Sequence, residues 1–453
     1  MKRIISLALA AVMALGLMTG CGEKDSGSLV GKVDENGTLV IEAPETDAKA
    51  ALTAETADYS KEALEALKSG THMVDDADVP ALYKYFESKG VRIGVAFGAD
   101  QITEKTDPFD NSIKNGIIKH YNIYTLGNEF KPAYVNPAEG VYNFEYADNF
   151  VKFGSDAGAY VRGHTLVWHS QVPDWWFKAD PADTRDLKTC SDEGALATSQ
   201  QLQDRITKYI TDIVTRYKDT VQVWDVCNEV LNADSIRRIA DESYWADIMG
   251  DLDGNGYYDD YVELAFKTAR AADEDAFLMI NDFNMEWQNT KTQAMYDMCE
   301  RMMRKGVRID GVGFQSHISL DCNVELYRQN IEKIAGLAAV YDECFPEHKG
   351  EFRIQITELD MNMFVGANSD GGFMKWTAED FEKQAKKYNE LMNMFMDFVD
   401  RDLIDAIVFW GTDDENSWLN TTPKLRRNAA LLVDRDNSLK PCFYSVAEAA
   451  FRD

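Results

Sequence analysis

Residues 221–229 read VQVWDVCNE, an apolar run from Val221 that closes on the polar pair Asn228 and Glu229. Seven further runs have the same design, rich in β-branched and aromatic residues and ending in polar side chains or Trp. Together the eight are VRIGVAFG from Val91, NIYTLGN from Asn122, YVRGHTLVW from Tyr160, VQVWDVCNE from Val221, FLMINDFN from Phe277, GVGFQSHI from Gly311, RIQITELDM from Arg353 and AIVFWGTDD from Ala406. Amphipathic stretches such as 202–217, 261–273 and 377–400 lie between them. This alternation predicts an α/β fold, a single (β/α)₈ TIM barrel.

The polar residues of these runs cluster at the C-terminal tips, where the loops of such a barrel build the active site. An open doubly wound sheet would need a Gly-rich phosphate loop near its first strand, and GVAFGAD does not fit that pattern. The barrel is therefore the expected architecture, and its mouth is the expected site.

The composition limits the partners of this barrel. The 453 residues are 45% hydrophobic and carry 47 Lys and Arg against 77 Asp and Glu, a formal net charge of -30. Such a field repels a phosphate backbone, so no nucleic acid partner is expected. A neutral sugar polymer remains compatible with it.

The N-terminus predicts export. Lys2 and Arg3 precede an apolar run from Ile4 to about Met18, which is too short and wrongly flanked for a spanning helix, so residues 1–20 are interpreted as a signal peptide. The stretch MTGC resembles a bacterial lipoprotein signal, with Cys21 as the lipidated residue. We expect an extracellular, surface-anchored protein that meets the membrane only through this lipid; simple secretion is the alternative.

Residues 21–78 are predicted to form the lipid-anchor Cys and a flexible acidic tether, with one helical patch around Lys61 to Lys68, because large apolar residues are scarce. Residues 79–453 are the predicted catalytic barrel, expected to act as a monomer. The remaining cysteines show no metal-ligand spacing, which argues against zinc, and export permits disulfides without assigning pairs. They are Cys190, Cys227, Cys299, Cys322, Cys344 and Cys442.

Two glutamates end strands on different sides of the predicted barrel mouth. Glu229 closes WDVCNE on the fourth strand, and Glu358 lies in ITELD on the seventh. Hydrolysis of a glycosidic bond requires a proton donor for the leaving oxygen and a second carboxylate for the sugar carbon. This pair therefore predicts sugar-bond chemistry without a cofactor or a catalytic metal.

From about Val79 to Ala450 the sequence resembles glycoside hydrolase family 10, the retaining endo-β-1,4-xylanases. The resemblance rests on six motifs in order. They are GHTLVWHSQVPDW around His164, WDVCNE ending at Glu229, INDFN around Asn281, GFQSHI around His317, ITELDM around Glu358, and WGTDDENSW from Trp410 to Trp418.

The resemblance implies that Glu229 is the general acid/base and Glu358 the nucleophile, with retention and carboxyl groups about 5 to 5.5 Å apart. Asn228 would hydrogen-bond a sugar 2-hydroxyl, and His317, oriented by Asp360, would hydrogen-bond Glu358. The remaining residues would bind the substrate, xylan or a xylo-oligosaccharide. They are Asn128, Lys131, His164, Trp168, His169, Gln171, Gln315, Trp410 and Trp418.

The sequence differs from the usual family 10 pattern at several positions. Where the family usually has Glu and Trp around Asn128 and Lys131, this chain has Gly127 and Pro132, and the usual Arg after Trp418 is Leu419. We expect catalysis to be retained while binding of the second sugar from the cut is altered, with room for a decorated chain.

A second departure is DLDGNGYYDD, residues 251–260. Its Asp251, Asp253, Asn255, Gly256 and Asp259 follow EF-hand spacing, but Val262 stands at position 12, so calcium binding and an acidic solvated turn both remain open.

The function predicted is endo-1,4-β-xylanase, hydrolysing internal xylosidic bonds by double displacement. A β-1,4-glucanase or mixed-specificity hydrolase on the same scaffold is one alternative. A non-catalytic surface glycan-binding lipoprotein is another, although it would be expected to lack one of the two glutamates.

Overall fold

The computed structural model describes residues 31–33, 39–41, 57–105, 111–232, 243–366, 375–423 and 425–452. Within these ranges the strands are β1 Gly31–Val33, β2 Leu39–Ile41, β3 Arg92–Phe97, β4 Ile123–Leu126, β5 Val141–Asn143, β6 Tyr160–Trp168, β7 Val223–Asn228, β8 Phe277–Asp282, β9 Gly311–Phe314, β10 His317–Ser319, β11 Arg353–Asn362 and β12 Ile404–Phe409.

The α-helices of the same ranges are α1 Lys61–Leu67, α2 Ser112–His120, α3 Pro132–Val135, α4 Glu145–Asp156, α5 Leu187–Asp192, α6 Ser199–Arg216, α7 Tyr244–Met249, α8 Asp260–Ala272, α9 Asn289–Arg304, α10 Val324–Ala335, α11 Leu337–Cys344, α12 Ala378–Val399 and α13 Pro441–Glu448. Short 3₁₀ helices lie at Leu82–Tyr85, Glu87–Lys89, Ala99–Gln101, Asp174–Phe177, Pro346–His348, Trp418–Asn420 and Ala449–Phe451.

Eight parallel strands close a barrel in the order β3-β4-β6-β7-β8-β9-β11-β12, with β12 pairing back onto β3. Each of the eight predicted runs contains one of these strands, so the predicted (β/α)₈ fold is confirmed. The strands are almost continuously buried, as expected for a parallel sheet covered by helices on its outer side.

Helix α6 shows how local sequence sets an element of the outer layer. Its N-cap Thr198 side chain accepts a hydrogen bond from the Gln201 backbone N–H, and Oε1 of Gln201 accepts one from the Thr198 backbone N–H. This capping box starts the helix three residues before the predicted Leu202. Its buried face includes Ile206, Ile210 and Ile213, spaced at the helical period.

The barrel interior also holds a buried charged cluster. Arg162 of β6 donates to both carboxylate oxygens of Asp225 on β7, and its Nη1 donates to Oε1 of Gln355 on β11 at 2.5 Å. Buried charges of this kind need a partner and full hydrogen bonding. The cluster joins three strands below the mouth.

The packed body begins earlier than the predicted boundary at residue 78. Leu64 of α1 is only 1% exposed, and Val74 is buried and donates its backbone N–H to the Asn437 carbonyl. Tyr59 packs edge-on against Tyr85 at 5.1 Å between ring centroids. The prediction of a tether through residue 78 is therefore wrong for residues 57–78, because a few apolar side chains suffice to dock this segment.

Strands β1 and β2 also fall inside the predicted tether. They pair antiparallel with each other, and β2 pairs parallel with β5, forming a three-stranded sheet beside the barrel. Cys21 and the predicted signal peptide lie outside the described residues. In the part of the chain that is described, no helix is long and apolar enough to cross a membrane, and the six cysteines after Cys21 are all unbridged thiols.

Candidate active site

A cleft of about 780 Å³ opens at the C-terminal ends of the barrel strands. All of the predicted catalytic and substrate-binding residues except His169 line it. Those lining it are Asn128, Lys131, His164, Trp168, Gln171, Asn228, Glu229, Gln315, His317, Glu358, Asp360, Trp410 and Trp418. His169 stands behind the wall, with its Nδ1 3.7 Å from Oε2 of Glu229.

Glu229 directly follows β7 and has a left-handed backbone, with φ of 55°. Its N–H donates to the Asn281 carbonyl at 2.8 Å, which fixes the chain at the end of the strand. Oε1 accepts a 3.0 Å hydrogen bond from Nε2 of Gln315, and the side chain is 16% exposed. A non-glycine residue in this conformation carries strain that is typical of functional sites.

Glu358 lies within β11 and is 4% exposed. Asn281 Nδ2 donates to its Oε1 at 2.7 Å, and His317 Nε2 lies 3.1 Å from its Oε2. Burial alone would raise the pKa of Glu358, but the His317 hydrogen bond and the nearby positive groups, including Lys131, lower it overall. The carboxylate is therefore kept ionised although it is buried.

His317 begins β10, and the register places it opposite Asp360 of β11. Its Nδ1 lies 3.0 Å from Oδ2 of Asp360, which in turn accepts a 2.7 Å hydrogen bond from the indole N–H of Trp418. Burial favours a lower pKa for His317, but the carboxylates of Asp360 and Glu358 raise it well above its ordinary value. The protonated ring has a donor on each nitrogen, one for each carboxylate.

Two amide side chains connect the paired glutamates across the floor of the cleft. Asn281 Nδ2 donates both to Oε1 of Glu358 and, at 2.9 Å, to Oδ1 of Asn228. Gln315 Nε2 donates both to Oε1 of Glu229 and, at 3.3 Å, to the same Asn228 oxygen. The carboxylates are thus linked through Asn228.

Asn281 lies in the INDFN motif, but no role was predicted for it. It is fully buried, and its Oδ1 accepts a 2.6 Å hydrogen bond from the Thr357 hydroxyl. This bond sets the amide orientation, because the oxygen faces Thr357 and the nitrogen faces Glu358. The sequence feature that could have indicated a role for Asn281 was its position near the C-terminal end of β8, the fifth barrel strand, within INDFN.

Glu286 supports the same end of the cleft from behind. Its side chain is 1% exposed, and its Oε1 accepts the Ser316 backbone N–H at 2.6 Å. Ser316 has φ of 65° and directly precedes His317. Burial raises the pKa of Glu286 to about 7. The contact helps to hold the left-handed turn that carries His317.

Lys131 forms a polar group at one wall of the cleft. Its Nζ donates to Oε1 of Gln171 at 2.8 Å and to Oδ1 of Asn128 at 3.1 Å, and lies 4.6 Å from the Trp168 ring centroid. Burial lowers the pKa of Lys131 to about 8, although the carboxylates of Glu358 and its neighbours favour the charged form. Lys131, Asn128 and Gln171 therefore form one hydrogen-bonding cluster in the cleft.

Aromatic rings surround the carboxylates. Trp418 packs against His317 with 4.9 Å between centroids, and Trp410 lies 5.2 Å from His164. Trp418 remains 37% exposed, so its ring offers a face to a ligand. The sequence did not single out Trp287, which is 41% exposed and lines the cleft on the loop after β8. Its only signal was an aromatic residue shortly after a strand end.

The sequence departures have distinct structural outcomes. Leu419 is 6% exposed and packs with Ala430 and Leu431, while part of it still borders the cleft. Pro132 opens α3 directly after Lys131. A Cβ on Gly127 would meet only the Phe97 backbone, at 3.5 Å or more, so this position leaves space at the cleft wall.

The acidic turn departs from the EF-hand order. Asp259 is drawn into an ion pair with Arg301 of α9, whereas oxygens of Asp251, Asp253 and Asp260 lie within 4.8 Å of one another. Asp253 also pairs with Lys305. The position-9 residue of the pattern is therefore not part of this carboxylate group.

A (β/α)₈ barrel with two carboxylates held at the mouth by buried donors defines a glycoside hydrolase scaffold. Residues 81–449 match the family model described as glycosyl hydrolase family 10, and the chain belongs to that family.

The chain is 36% identical over 385 residues to endo-1,4-beta-xylanase C of Paenibacillus barcinonensis, covering 83% of this chain and 33% of that protein. A solved family 10 structure from the same organism superposes with a TM-score of 0.72 at 35% identity, covering 83% of this chain and all of that one. A xylanase of Thermoanaerobacterium saccharolyticum solved with xylotetraose gives a TM-score of 0.66 at 33% identity, covering 82% and 98%. The chain spans about a third of the length of the curated relatives first matched.

Proposed function

We propose that the protein is an endo-1,4-β-xylanase that cleaves internal bonds of xylan with retention of anomeric configuration. The observation that carries this proposal is the unequal setting of two carboxylates in one cleft. Glu358 is buried and receives hydrogen bonds from Asn281 and His317. Glu229 is part-exposed, and its contacts include a hydrogen bond from Gln315 and His169 Nδ1 at 3.7 Å.

In the first step, Glu358 attacks the anomeric carbon and forms a glycosyl ester while the bond to the leaving oxygen breaks. Glu229 donates its proton to that oxygen, and the cleaved chain departs. In the second step, Glu229 takes a proton from water, whose oxygen attacks the anomeric carbon and releases Glu358. Two displacements on one carbon restore the starting configuration.

The surroundings of Glu358 suit a nucleophile. His317 and Lys131 hold it ionised before attack, and the Asn281 amide aims one oxygen while His317 contacts the other. Asn228 is fixed by two donors on its Oδ1 beside the reacting bond, where an amide can bond a sugar 2-hydroxyl.

The experiment is product analysis on xylan beside carboxymethylcellulose, with the anomeric form of the first product followed by NMR. The proposal is supported if oligosaccharides are released from xylan but not from carboxymethylcellulose, and if the first product formed is the β-anomer. Preference for the cellulose derivative would indicate a glucanase, and the α-anomer would exclude retention. Glu300→Gln, a part-exposed position on α9, serves as the control for Glu229→Gln and Glu358→Gln.

We also propose that the protein is carried to the cell surface as a monomer and anchored by lipid on Cys21. The charged start, the apolar run and the MTGC stretch support this proposal. Labelling cells with a fatty-acid probe should mark the wild-type protein, and Cys21→Ala should release it from membranes. An unlabelled protein in the medium would instead indicate simple secretion.

A further inference from the structure

One buried cation in the cleft wall is not used by the proposed mechanism. Arg426 follows the 3₁₀ turn Trp418–Asn420 and is 5% exposed. It lines the cleft together with Asn362, Trp418, Thr422 and Pro423. The guanidinium therefore borders the space in which a sugar chain would lie.

Within the part of the chain that the structure describes, the contacts of Arg426 are with uncharged groups. Nε donates to the Leu419 carbonyl at 2.8 Å and Nη2 to the Thr422 carbonyl at 3.0 Å, while the guanidinium carbon lies 5.3 Å from the Phe364 ring centroid. These bonds fix the plane of the group. Within the described residues Nη1 makes no hydrogen bond to a protein acceptor, so this nitrogen is available to a ligand in the cleft that Arg426 lines.

Two other cations on the same loop, Arg435 and Lys440, differ from Arg426 because each has a carboxylate partner. Arg435 is paired with Glu415, and Lys440 lies 2.9 Å from Asp414. Within the described part of the chain no carboxylate lies within ion-pair distance of Arg426. Burial lowers its pKa, but guanidinium stays charged in proteins. A buried, unpaired charge is costly unless a ligand supplies the counterion.

Since the described residues supply no counterion for Arg426, one attached to the substrate would fit this position. The chain carries a net charge of -30, and Glu229 and Glu358 lie in the same cleft, so a free anion would be repelled. A carboxylate on a sugar chain is different, because the contacts of the chain with the rest of the cleft hold it in place.

We propose that Arg426 binds the carboxylate of a uronic-acid substituent on the xylan chain. This inference rests on the proposed xylanase function and names a substrate class for the same cleft. It also gives a chemical basis for the expected change in binding of the second sugar, since the position after Trp418 holds the buried Leu419 and Arg426 follows seven residues later.

The test compares kcat/KM for a glucuronate-substituted xylo-oligosaccharide with that for its methyl ester, which has the same shape without the charge. The wild-type protein should prefer the acid by about tenfold, the scale of one charge-assisted hydrogen bond. In Arg426→Gln the ratio of acid to ester should fall to about one, and in Arg426→Lys it should be partly kept. Arg304→Gln, an exposed arginine of α9, should keep the wild-type ratio.

Each acid-to-ester ratio of kcat/KM is measured with one protein, so a general loss of activity in a variant lowers both values and leaves the ratio unchanged. If Arg426→Gln does not fold, the acid-to-ester ratio of the wild-type protein still decides. A wild-type ratio of one or less overturns the inference, as does a tenfold preference that survives in Arg426→Gln. Failure to cleave the unsubstituted oligosaccharide would instead overturn the proposed function.

Discussion

The indole N–H of Trp418 donates a 2.7 Å hydrogen bond to Oδ2 of Asp360. The same oxygen lies 3.0 Å from Nδ1 of His317, whose Nε2 lies 3.1 Å from Glu358. The Trp418 ring, which the family resemblance assigns to substrate binding, is therefore also the first member of a series of contacts that ends at Glu358, the proposed nucleophile. These contacts connect the exposed Trp418 ring to the histidine that helps to lower the pKa of Glu358.

Replacing Trp418 by Phe keeps an aromatic face but removes the N–H donor to Asp360. We expect kcat to fall by roughly tenfold, the cost of one lost bond to a buried charge, with a smaller change in KM. Steady-state kinetics on xylo-oligosaccharides measure both. A change confined to KM would show that Trp418 acts as a platform alone.

His317→Gln should move the acid limb of the activity profile upward. Burial raises the pKa of Glu358, but His317 and other positive groups lower it by more. Without the imidazolium, the effect of burial is less well opposed and the pKa of Glu358 rises. The nucleophile then needs a higher pH to ionise. The profile of kcat/KM against pH for both proteins tests this, and an unmoved acid limb would contradict it.

The same pair links stability to pH. Because the folded pKa of His317 is raised, its contribution is fully present below the ordinary histidine value and is lost as pH rises through the folded value. The lowered pKa of Glu358 contributes above the ordinary glutamate value and is lost as pH falls through the folded one. Denaturant unfolding of wild type and His317→Gln should therefore differ most near pH 5 to 6 and converge in alkali.

Lys131 should make substrate binding sensitive to alkali. Its pKa is lowered by burial to about 8, so the ammonium that holds Asn128 and Gln171 is lost above that pH. We expect KM to rise near pH 8 in the wild type, and Lys131→Met to show a high KM without this step. Lys188→Met, an exposed lysine of α5, is the control. A wild-type KM flat to pH 10 would contradict the assignment.

Asn281→Ala should lower kcat by about a hundredfold, the typical effect of removing one preorganised donor at the reacting charge. It removes the bond to Glu358 and also releases Asn228. Asn281→Asp is a sharper variant because it keeps the shape but puts a carboxylate against Glu358. Near-normal turnover in both would show that Asn281 only fills space.

The barrel and most of the site were predictable because each strand carries its own signal. An apolar run such as 221–228 predicts a buried strand, and the polar residue that ends it is expected at the mouth of the barrel. Those local patterns placed Glu229, Glu358 and His317 correctly in one cleft.

Other features depend on contacts between segments that are distant in sequence, and a local sequence pattern does not predict such contacts. The docking of Leu64 depends on a surface made by the rest of the body, and the role of Asn281 depends on strand register. Arg426 enters the cleft only because the loop after β12 folds back on the Leu419 and Thr422 carbonyls.

The most direct test of the account is to trap the covalent intermediate. An activated 2-fluoro xylobioside should leave a glycosyl ester on the wild-type protein, located by peptide mass spectrometry within residues 353–362, and Glu358→Gln should acquire none. An ester on Glu229, or full turnover with an inverted product and no adduct, would contradict the assignment of Glu358 as the nucleophile.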